Sequence, residues 1–199
     1  NLFGIINITD STLTENTATG QTYDGYGGAI YNAYGNLNIN NSILEYNNAT
    51  NGGAINNYNG NININNTNLT YNNANEYGGA IVNNGTNSNL TIFDSNLTNN
   101  TATGQNGNGI GGAIYNLDGT LNITNTNLTD NTATGQGVGC GGAICNTGGT
   151  LTLTNSNLTQ NTATGQEYEG DGGAIYNDYG GTINITESNL NNNTAAGQN

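Results

Sequence analysis

Short segments in which apolar and polar residues alternate recur along the chain. Each has the form apolar-x-apolar with Asn or Thr in the middle, as in Ile6-Asn7-Ile8 and Leu151-Thr152-Leu153. Period-two alternation is typical of a β-strand that buries one face. The copies of this alternating motif begin at residues 6, 37, 62, 90, 121, 151 and 183.

Two further motifs recur in a fixed order with the alternating motif. The first, GGAIxN, spans Gly27–Asn32, Gly52–Asn57, Gly78–Asn83, Gly111–Asn116, Gly141–Asn146 and Gly172–Asn177. The second reads Ser/Thr-x-Leu-x-x-Asn-x-Ala and begins at Ser11, Ser42, Thr67, Ser95, Thr126, Ser156 and Ser188. Repeats of roughly 20–50 residues indicate a stacked repeat protein.

The three motifs predict three short strands in each repeat. Stacking of one coil on the next places equal positions above one another, which explains why each position keeps its residue type. We therefore predict an all-β fold, a parallel β-helix (β-solenoid) of about seven three-strand coils. Residues 1–199 would form one β-helix repeat array, with Leu and Ile stacked in its interior.

Two rows of Asn are predicted to form hydrogen-bonded ladders along the array. A turn Asn tolerates a left-handed backbone, and its amide both donates and accepts, so identical side chains one coil apart can bond to one another. One row follows the conserved Leu and the other closes GGAIxN. The rows are Asn16, Asn47, Asn72, Asn100, Asn131, Asn161 and Asn193, and Asn32, Asn57, Asn83, Asn116, Asn146 and Asn177.

Amino-acid composition alone would lead to a different prediction from the one that the residue positions give. Hydrophobic residues make up 33% of the chain, and such an Asn-rich composition alone suggests disorder. The registered Leu and Ile residues indicate order instead. No apolar run reaches the ~18 residues of a membrane-spanning helix. Because both termini fall inside a repeat, we expect a segment of a longer protein whose signal and anchor lie elsewhere.

Charge excludes several classes of function. The chain has no Lys, Arg or His, and its 13 acids give a net charge of −13. Without cations it cannot neutralise phosphates, so nucleic acid is excluded as a partner, as is attraction of this segment to an anionic membrane. Most general bases are absent too. A hydrolase needs only paired carboxylates, but the acids fall in different rows, so we expect no enzyme and no cofactor.

The variable loops before each GGAI copy are predicted to be the functional face. Glu167, Glu169 and Asp171 lie in one such loop, where they could bind Ca²⁺ together with backbone carbonyls; a solvated acidic loop is the alternative. Four of the 12 tyrosines lie in these loops and are candidate ligand contacts, since exposed aromatic faces can stack on sugars. They are Tyr23, Tyr26, Tyr77 and Tyr168.

Other aromatic and sulfur side chains have structural alternatives. Tyr31, Tyr115 and Tyr176 are predicted to cover the Ala row beneath folded loops. Cys140 and Cys145 flank one GGAI segment. If that segment is extended, the two cysteines lie too far apart for a disulfide, whereas a bend at the glycines would permit one.

The pairing of GGAI with Leu-x-x-Asn, as in Leu13 to Asn16, resembles two families of surface proteins. These are the chlamydial-type polymorphic outer-membrane autotransporters, where Phe usually replaces the Leu, and the adhesin-like surface proteins of methanogenic archaea, which are closer in composition. The resemblance covers the whole chain. It implies a right-handed parallel β-helix that is displayed on the cell surface and used in adhesion.

The expected function is therefore that of an extracellular surface adhesin or fibre segment that presents variable loops. Its partners would be a glycan or surface protein of a host or neighbouring cell, or further copies in a fibre. Direct membrane contact is not expected of this segment. A purely structural stalk or filament is the alternative, and a polysaccharide-degrading β-helix enzyme is a third, less favoured possibility.

Overall fold

The computed structural model describes residues 1–20, 25–104 and 107–197 of the chain. These residues form thirty short strands and no helix, so no helix long and apolar enough to cross a membrane occurs within them. Strands of successive coils pair in parallel and in register, for example Ile81 opposite Ile55 and Leu97 opposite Leu69. The fold is therefore an all-β parallel β-solenoid, as the motif pattern predicts.

Four sheets run along the solenoid, and we name them after their motifs. The GGAI sheet contains Ile30–Ala33, Ile55–Tyr58, Ile81–Asn84, Ile114–Leu117, Ile144–Thr147 and Ile175–Asp178. The alternating sheet contains Ile5–Thr9, Asn36–Asn40, Asn61–Asn65, Asn89–Phe93, Thr120–Thr124, Thr150–Thr154 and Thr182–Thr186.

The other two sheets arise from the Ser/Thr-x-Leu-x-x-Asn-x-Ala motif and the loop that follows it. The Leu sheet contains Thr12–Thr14, Ile43–Glu45, Asn68–Thr70, Asn96–Thr98, Asn127–Thr129, Asn157–Thr159 and Asn189–Asn191. The Ala sheet contains Thr17–Ala18, Asn48–Asn51, Asn73–Tyr77, Thr101–Gly104, Gly109–Ile110, Thr132–Gly135, Gly139–Cys140, Thr162–Gly165, Gly170–Asp171 and Thr194–Gly197.

The structure corrects the predicted number of coils. The GGAI sheet has six strands, whereas the alternating and Leu sheets have seven each. The solenoid therefore makes about six turns, not seven, because a full turn needs one copy of every motif. The third motif also forms two strands instead of one: Tyr46, with a φ of 53°, turns the chain between Ile43–Glu45 and Asn48–Asn51.

Left-handed residues turn the chain at the corners of each coil. Asn41, Asn66 and Asn125, with φ of 49°, 45° and 50°, each follow a strand of the alternating sheet. Asn is among the few non-glycine residues that adopt this conformation readily, because its short side chain bonds locally. Each coil needs a left-handed residue at this corner, and this need accounts for part of the high Asn content.

The two glycines of each GGAI motif are required for different reasons. Gly52 has a φ of 67°, which favours glycine. Gly53 faces the next coil, and a Cβ at this position would lie 2.1 Å from the carbonyl oxygen of Gly79. The first glycine therefore turns the chain, and the second allows adjacent coils to approach.

The interior is filled by stacked aliphatic side chains. Leu44, Leu69, Leu97, Leu128 and Leu158 are completely buried in one row, and the Ile residues of GGAI form another within the same core cluster. Burying each such side chain contributes about 1.5–3 kcal/mol. The interior rows thus supply most of the apolar stabilisation of the solenoid.

Candidate functional site

Both Asn rows form the predicted ladders. In the row from Asn16 to Asn193, each Nδ2 donates to the Oδ1 of the next coil at 2.8–3.0 Å. In the row from Asn32 to Asn177 the same bond measures 2.7–2.8 Å. The Nδ2 of Asn72 also donates to the carbonyl of Leu44 at 2.9 Å. With their amides used in this way, the ladders belong to the scaffold.

A third ladder, of Ser and Thr, was not predicted. The backbone N–H of Ser42 donates to Oγ1 of Thr67 at 3.3 Å, and that of Thr67 donates to Oγ of Ser95 at 3.1 Å. Each hydroxyl also donates to a carbonyl two residues earlier, as Thr67 does to Asn65 at 2.8 Å. The strict Ser/Thr choice at the start of the motif was the available signal, because a buried small hydroxyl needs such partners.

An axial groove lies where the Ala sheet meets the outer face of the GGAI sheet. Its wall is the residue directly before each Gly-Gly pair, and its floor is the residue after each GGAI. The wall residues, stacked coil by coil, are Tyr26, Asn51, Tyr77, Ile110, Cys140 and Asp171. The floor residues are Tyr31, Asn56, Val82, Tyr115, Cys145 and Tyr176.

Three adjoining cavities make up the axial groove. The first, of about 260 Å³, and the second, of about 280 Å³, share Tyr26, Asn56 and Asn84. The third, of about 380 Å³, shares Tyr115 with the second. The groove arises because the left-handed first glycine of each pair, such as Gly78 with a φ of 60°, turns the wall against the floor.

Tyrosines of the wall and floor form two stacked pairs. The Tyr26 and Tyr31 rings lie 5.7 Å apart at 27°, and those of Tyr77 and Tyr115 lie 5.4 Å apart at 30°. Tyr31 and Tyr115 therefore stack on loop tyrosines. The alanines that they were predicted to cover are part of the hydrophobic core, as Ala54 and Ala80 are.

The structure brings two of the four candidate tyrosines together. Tyr26 and Tyr77 stand on the same wall, two coils apart. Tyr168 is 62% exposed and lines a separate cavity of about 320 Å³ with Gln136 and Glu167. Tyr23 lies outside the described residues.

The electrostatics divide the groove into two parts. Among the described residues, no charged side chain lines the first and second cavities, whereas Asp171 and Asp178 line the third. Burial raises the pKa of Tyr115 to about 12. Burial, with smaller contributions from Tyr26 and Tyr58, also raises the pKa of Tyr31. These phenols stay protonated near neutral pH and can donate hydrogen bonds.

Asn51 is the exceptional polar residue of the wall. It is only 5% exposed, and its Oδ1 is buried without a hydrogen-bond partner among the residues that the structure describes. Buried polar atoms are usually satisfied, so an exception needs a physical explanation. Asn51 stands between Tyr26 and Tyr77 and lines the second cavity, which places an unused acceptor at the uncharged end of the groove.

The three loop carboxylates are not gathered into a cluster. Glu167 accepts a 3.4 Å hydrogen bond from Nε2 of Gln136, Glu169 is exposed, and Asp171 belongs to the groove wall. Among the described residues, no group of three or more His, Cys, Asp or Glu side chains is placed to hold a metal ion. A calcium site there remains a prediction without a carboxylate cluster to support it.

Cys140 and Cys145 face each other across the groove corner. Both are buried and free, and their Sγ atoms lie 3.7 Å apart. The bend at the glycines therefore occurs, and the extended alternative is wrong. The hydrogen bond between the two sulfur atoms, together with burial, raises the pKa of Cys140.

A family model matches part of the chain. Residues 10–33 match the Chlamydia polymorphic membrane protein repeat, and this stretch holds one Leu-x-x-Asn motif and one GGAIxN motif. No match was found among curated proteins or among solved structures.

Proposed function

We propose that the chain is a segment of a non-enzymatic extracellular surface protein, an adhesin or fibre, whose right-handed β-helix presents the axial groove to a partner. The partner would be a glycan or protein on a host or neighbouring cell. The match to a polymorphic membrane protein repeat supports a surface location. The parallel β-solenoid suits display, because a rigid rod holds one surface at a fixed distance from its attachment.

The axial groove is the observation that carries the proposal. In the Asn ladders, stacked positions repeat the same residue and hydrogen-bond to one another. In the groove the stacked positions vary, and tyrosines dominate its uncharged end. A concave surface with aromatic side chains and a few polar groups is the usual form of a ligand site.

Two measurements test the proposal. An antibody against the chain should label intact source cells, and a non-specific protease added outside the cells should remove the label. The labelled chain, immobilised on beads, should bind a panel of intact cells above the level of beads that carry a similarly acidic protein. A protected epitope together with background binding would contradict the proposal.

A structural stalk or filament is the second candidate, favoured by the two Asn ladders. Their hydrogen bonds run from coil to coil through the described residues, for example from Asn16 to Asn47 and from Asn161 to Asn193. A continuous hydrogen-bonded stack of this kind makes a stiff rod whether or not it binds a ligand. Ordered filaments in electron micrographs, together with no binding to any cell surface, would favour this function.

The non-enzymatic part of the proposal rests on the chemistry of the side chains. The chain holds no His, Lys or Arg, and the acids that line the groove's cavities within the described part of the chain, Asp171 and Asp178, belong to the third cavity. A polysaccharide panel assayed for new reducing ends and for unsaturated products provides the test. Release of either product by the purified chain would assign an enzyme instead.

A further inference from the structure

We propose that the uncharged end of the axial groove, from Tyr26 to Tyr115, binds a neutral oligosaccharide laid along the axis of the solenoid. In this arrangement Asn51 Oδ1 accepts a hydrogen bond from a sugar hydroxyl. The proposal deepens the proposed function and rests on it, because it names the class of ligand that the groove would take.

The shape of the site favours an extended ligand. The first two cavities are continuous, and together they span the four coils between Tyr31 and Tyr115. At roughly 4.8 Å per coil, three intervals give a length of about 14 Å. A compact single ring would leave most of this length empty, whereas a short linear chain would follow it.

The chemistry of the lining favours sugar rings over other extended ligands. Tyr26, Tyr77 and Tyr115 supply aromatic surface with hydroxyl groups at the edge, and the amides of Asn56 and Asn84 add donors and acceptors nearby. Sugars combine apolar ring faces with many hydroxyls, and this combination matches such a mixed lining.

Charge narrows the class to neutral sugars. The chain has a net charge of −13 and no cationic side chain, so nothing in it would pair with a uronate, sialate or sulfate group. The described residues that line the first and second cavities include no carboxylate to attract a cationic sugar either. Like charges across an interface select against the wrong partner.

Asn51 provides an observation that is independent of the tyrosines. Among the described residues, its Oδ1 is a buried acceptor with no hydrogen-bond partner, and the residue itself lines the second cavity. An amide held in this state costs free energy that a bound donor would recover. Because other coils place Ile110 or Cys140 at the same wall position, the fold does not require an amide there.

Three variants test the site, a matched pair and a single substitution, using the chain 1–199. The Tyr77→Asn variant removes one groove ring and inserts the residue that the preceding coil has at this position, Asn51. Its matched control is Tyr71→Asn, which changes a tyrosine on a different corner to the residue found one coil later, Asn99; both of these corner residues adopt positive φ. The Asn51→Leu variant removes the free acceptor and keeps the size of the side chain.

The probes are neutral homo-oligomers of glucose, mannose and N-acetylglucosamine of graded length, uronate and sulfated oligomers, and an uncharged peptide of similar length. We expect calorimetric binding of at least one neutral series, with affinity rising with chain length until the groove is filled. We expect Tyr77→Asn and Asn51→Leu each to weaken binding about tenfold, the loss of one aromatic contact or one hydrogen bond. Tyr71→Asn should bind like the unchanged chain.

Each contrary result has a definite meaning. If no neutral oligomer binds, if the acidic sugars or the peptide bind best, or if both groove variants bind like the Tyr71→Asn control, the proposal is overturned. Binding of the same variants to intact cells distinguishes failure of the sugar-binding proposal from failure of the proposed surface function. Cell binding that survives Tyr77→Asn would contradict a role for the groove but not the surface function. Absence of all cell binding would contradict the surface function itself.

Discussion

The Asn ladders and the axial groove use the same stacked geometry for opposite purposes. In the ladders, one residue type repeats because each amide bonds to its copy in the next coil, as Asn72 does to Asn100 at 3.0 Å. In the groove wall the stacked residues differ, and Asn51 has an unused Oδ1 although it occupies the same kind of buried, stacked position. Identity is therefore kept where a side chain's partner is its own copy, and it varies where the partner would come from outside.

The largest expected effect comes from breaking a ladder. Asn100→Leu would remove four hydrogen bonds of one side chain, two to Asn131 and Leu69 and two from Asn72. It would also leave buried amide groups of the neighbouring coils unpaired. We expect the free energy of unfolding to fall by about 3–6 kcal/mol, measured by urea denaturation. Asn96→Leu is the control, because the hydrogen bonds of Asn96 with Asn68 and Asn127 are exposed to solvent. It should change the free energy of unfolding by less than about 1 kcal/mol.

The next effect concerns the two sulfur atoms in the wall and floor. With glutathione disulfide as oxidant, Cys140 and Cys145 should lose two protons and two electrons in forming one bond, and two molecules of glutathione should be released. Titratable thiols in the denatured chain would fall to none, and stability would rise by about 2 kcal/mol for so short a loop.

Cys145→Val is the matched control for this oxidation, because Val82 occupies the same floor row. This variant should retain a single thiol and gain no intramolecular bridge. The reaction should be slow at neutral pH, since the raised pKa of Cys140 keeps its thiolate scarce. Two thiols that persist in the unchanged chain after prolonged oxidation would show that the corner cannot bring the sulfurs together.

A smaller effect is expected from the protonation state of the floor. The pKa of Tyr115 is raised from 10.0 to about 12, so the fold favours the neutral phenol. Its contribution to stability should be complete below about pH 10 and should be lost as the pH rises through about 12. The ultraviolet absorbance of tyrosinate should show one fewer late-titrating group in Tyr115→Phe. Unchanged late titration in that variant would contradict the assignment.

The smallest expected effect tests most directly whether Asn51 of the groove wall differs from the ladder asparagines. Asn51→Leu is the same chemical change as Asn100→Leu, yet it removes an acceptor that has no partner. We expect the free energy of unfolding to stay the same or to rise by up to about 1 kcal/mol. A loss of stability comparable to that of Asn100→Leu would mean that Asn51 stabilises the fold, as the ladder asparagines do.

The sequence was sufficient for those features in which like residues meet like residues. Period-two alternation identified the strands, and the rows of Leu, Ile and Asn identified the interior and both ladders. The coil number was too high by one, because seven copies of two motifs were counted although GGAI has six strands. The split of the third motif was missed, since a left-handed Tyr46 is not apparent from residue type.

The groove could be predicted only in part for a related reason. Tyr26 and Tyr77 were singled out because they lie in variable loops, but their stacking partners Tyr31 and Tyr115 were assigned to a covering role. Whether two residues on either side of GGAI meet depends on the angle of the corner between them. The same uncertainty applied to Cys140 and Cys145, for which the sequence left both a bent and an extended form open.

By itself, the sequence determined that this chain is a stack of β-coils with an aliphatic interior and Asn ladders, because those features follow from repetition alone. Only the tertiary structure decided that a wall and a floor converge into a groove with an unpaired amide oxygen. The physical reason is that equal positions in neighbouring coils lie 25 to 33 residues apart. The register across loops of unequal length and the glycine corners decide which side chains face each other.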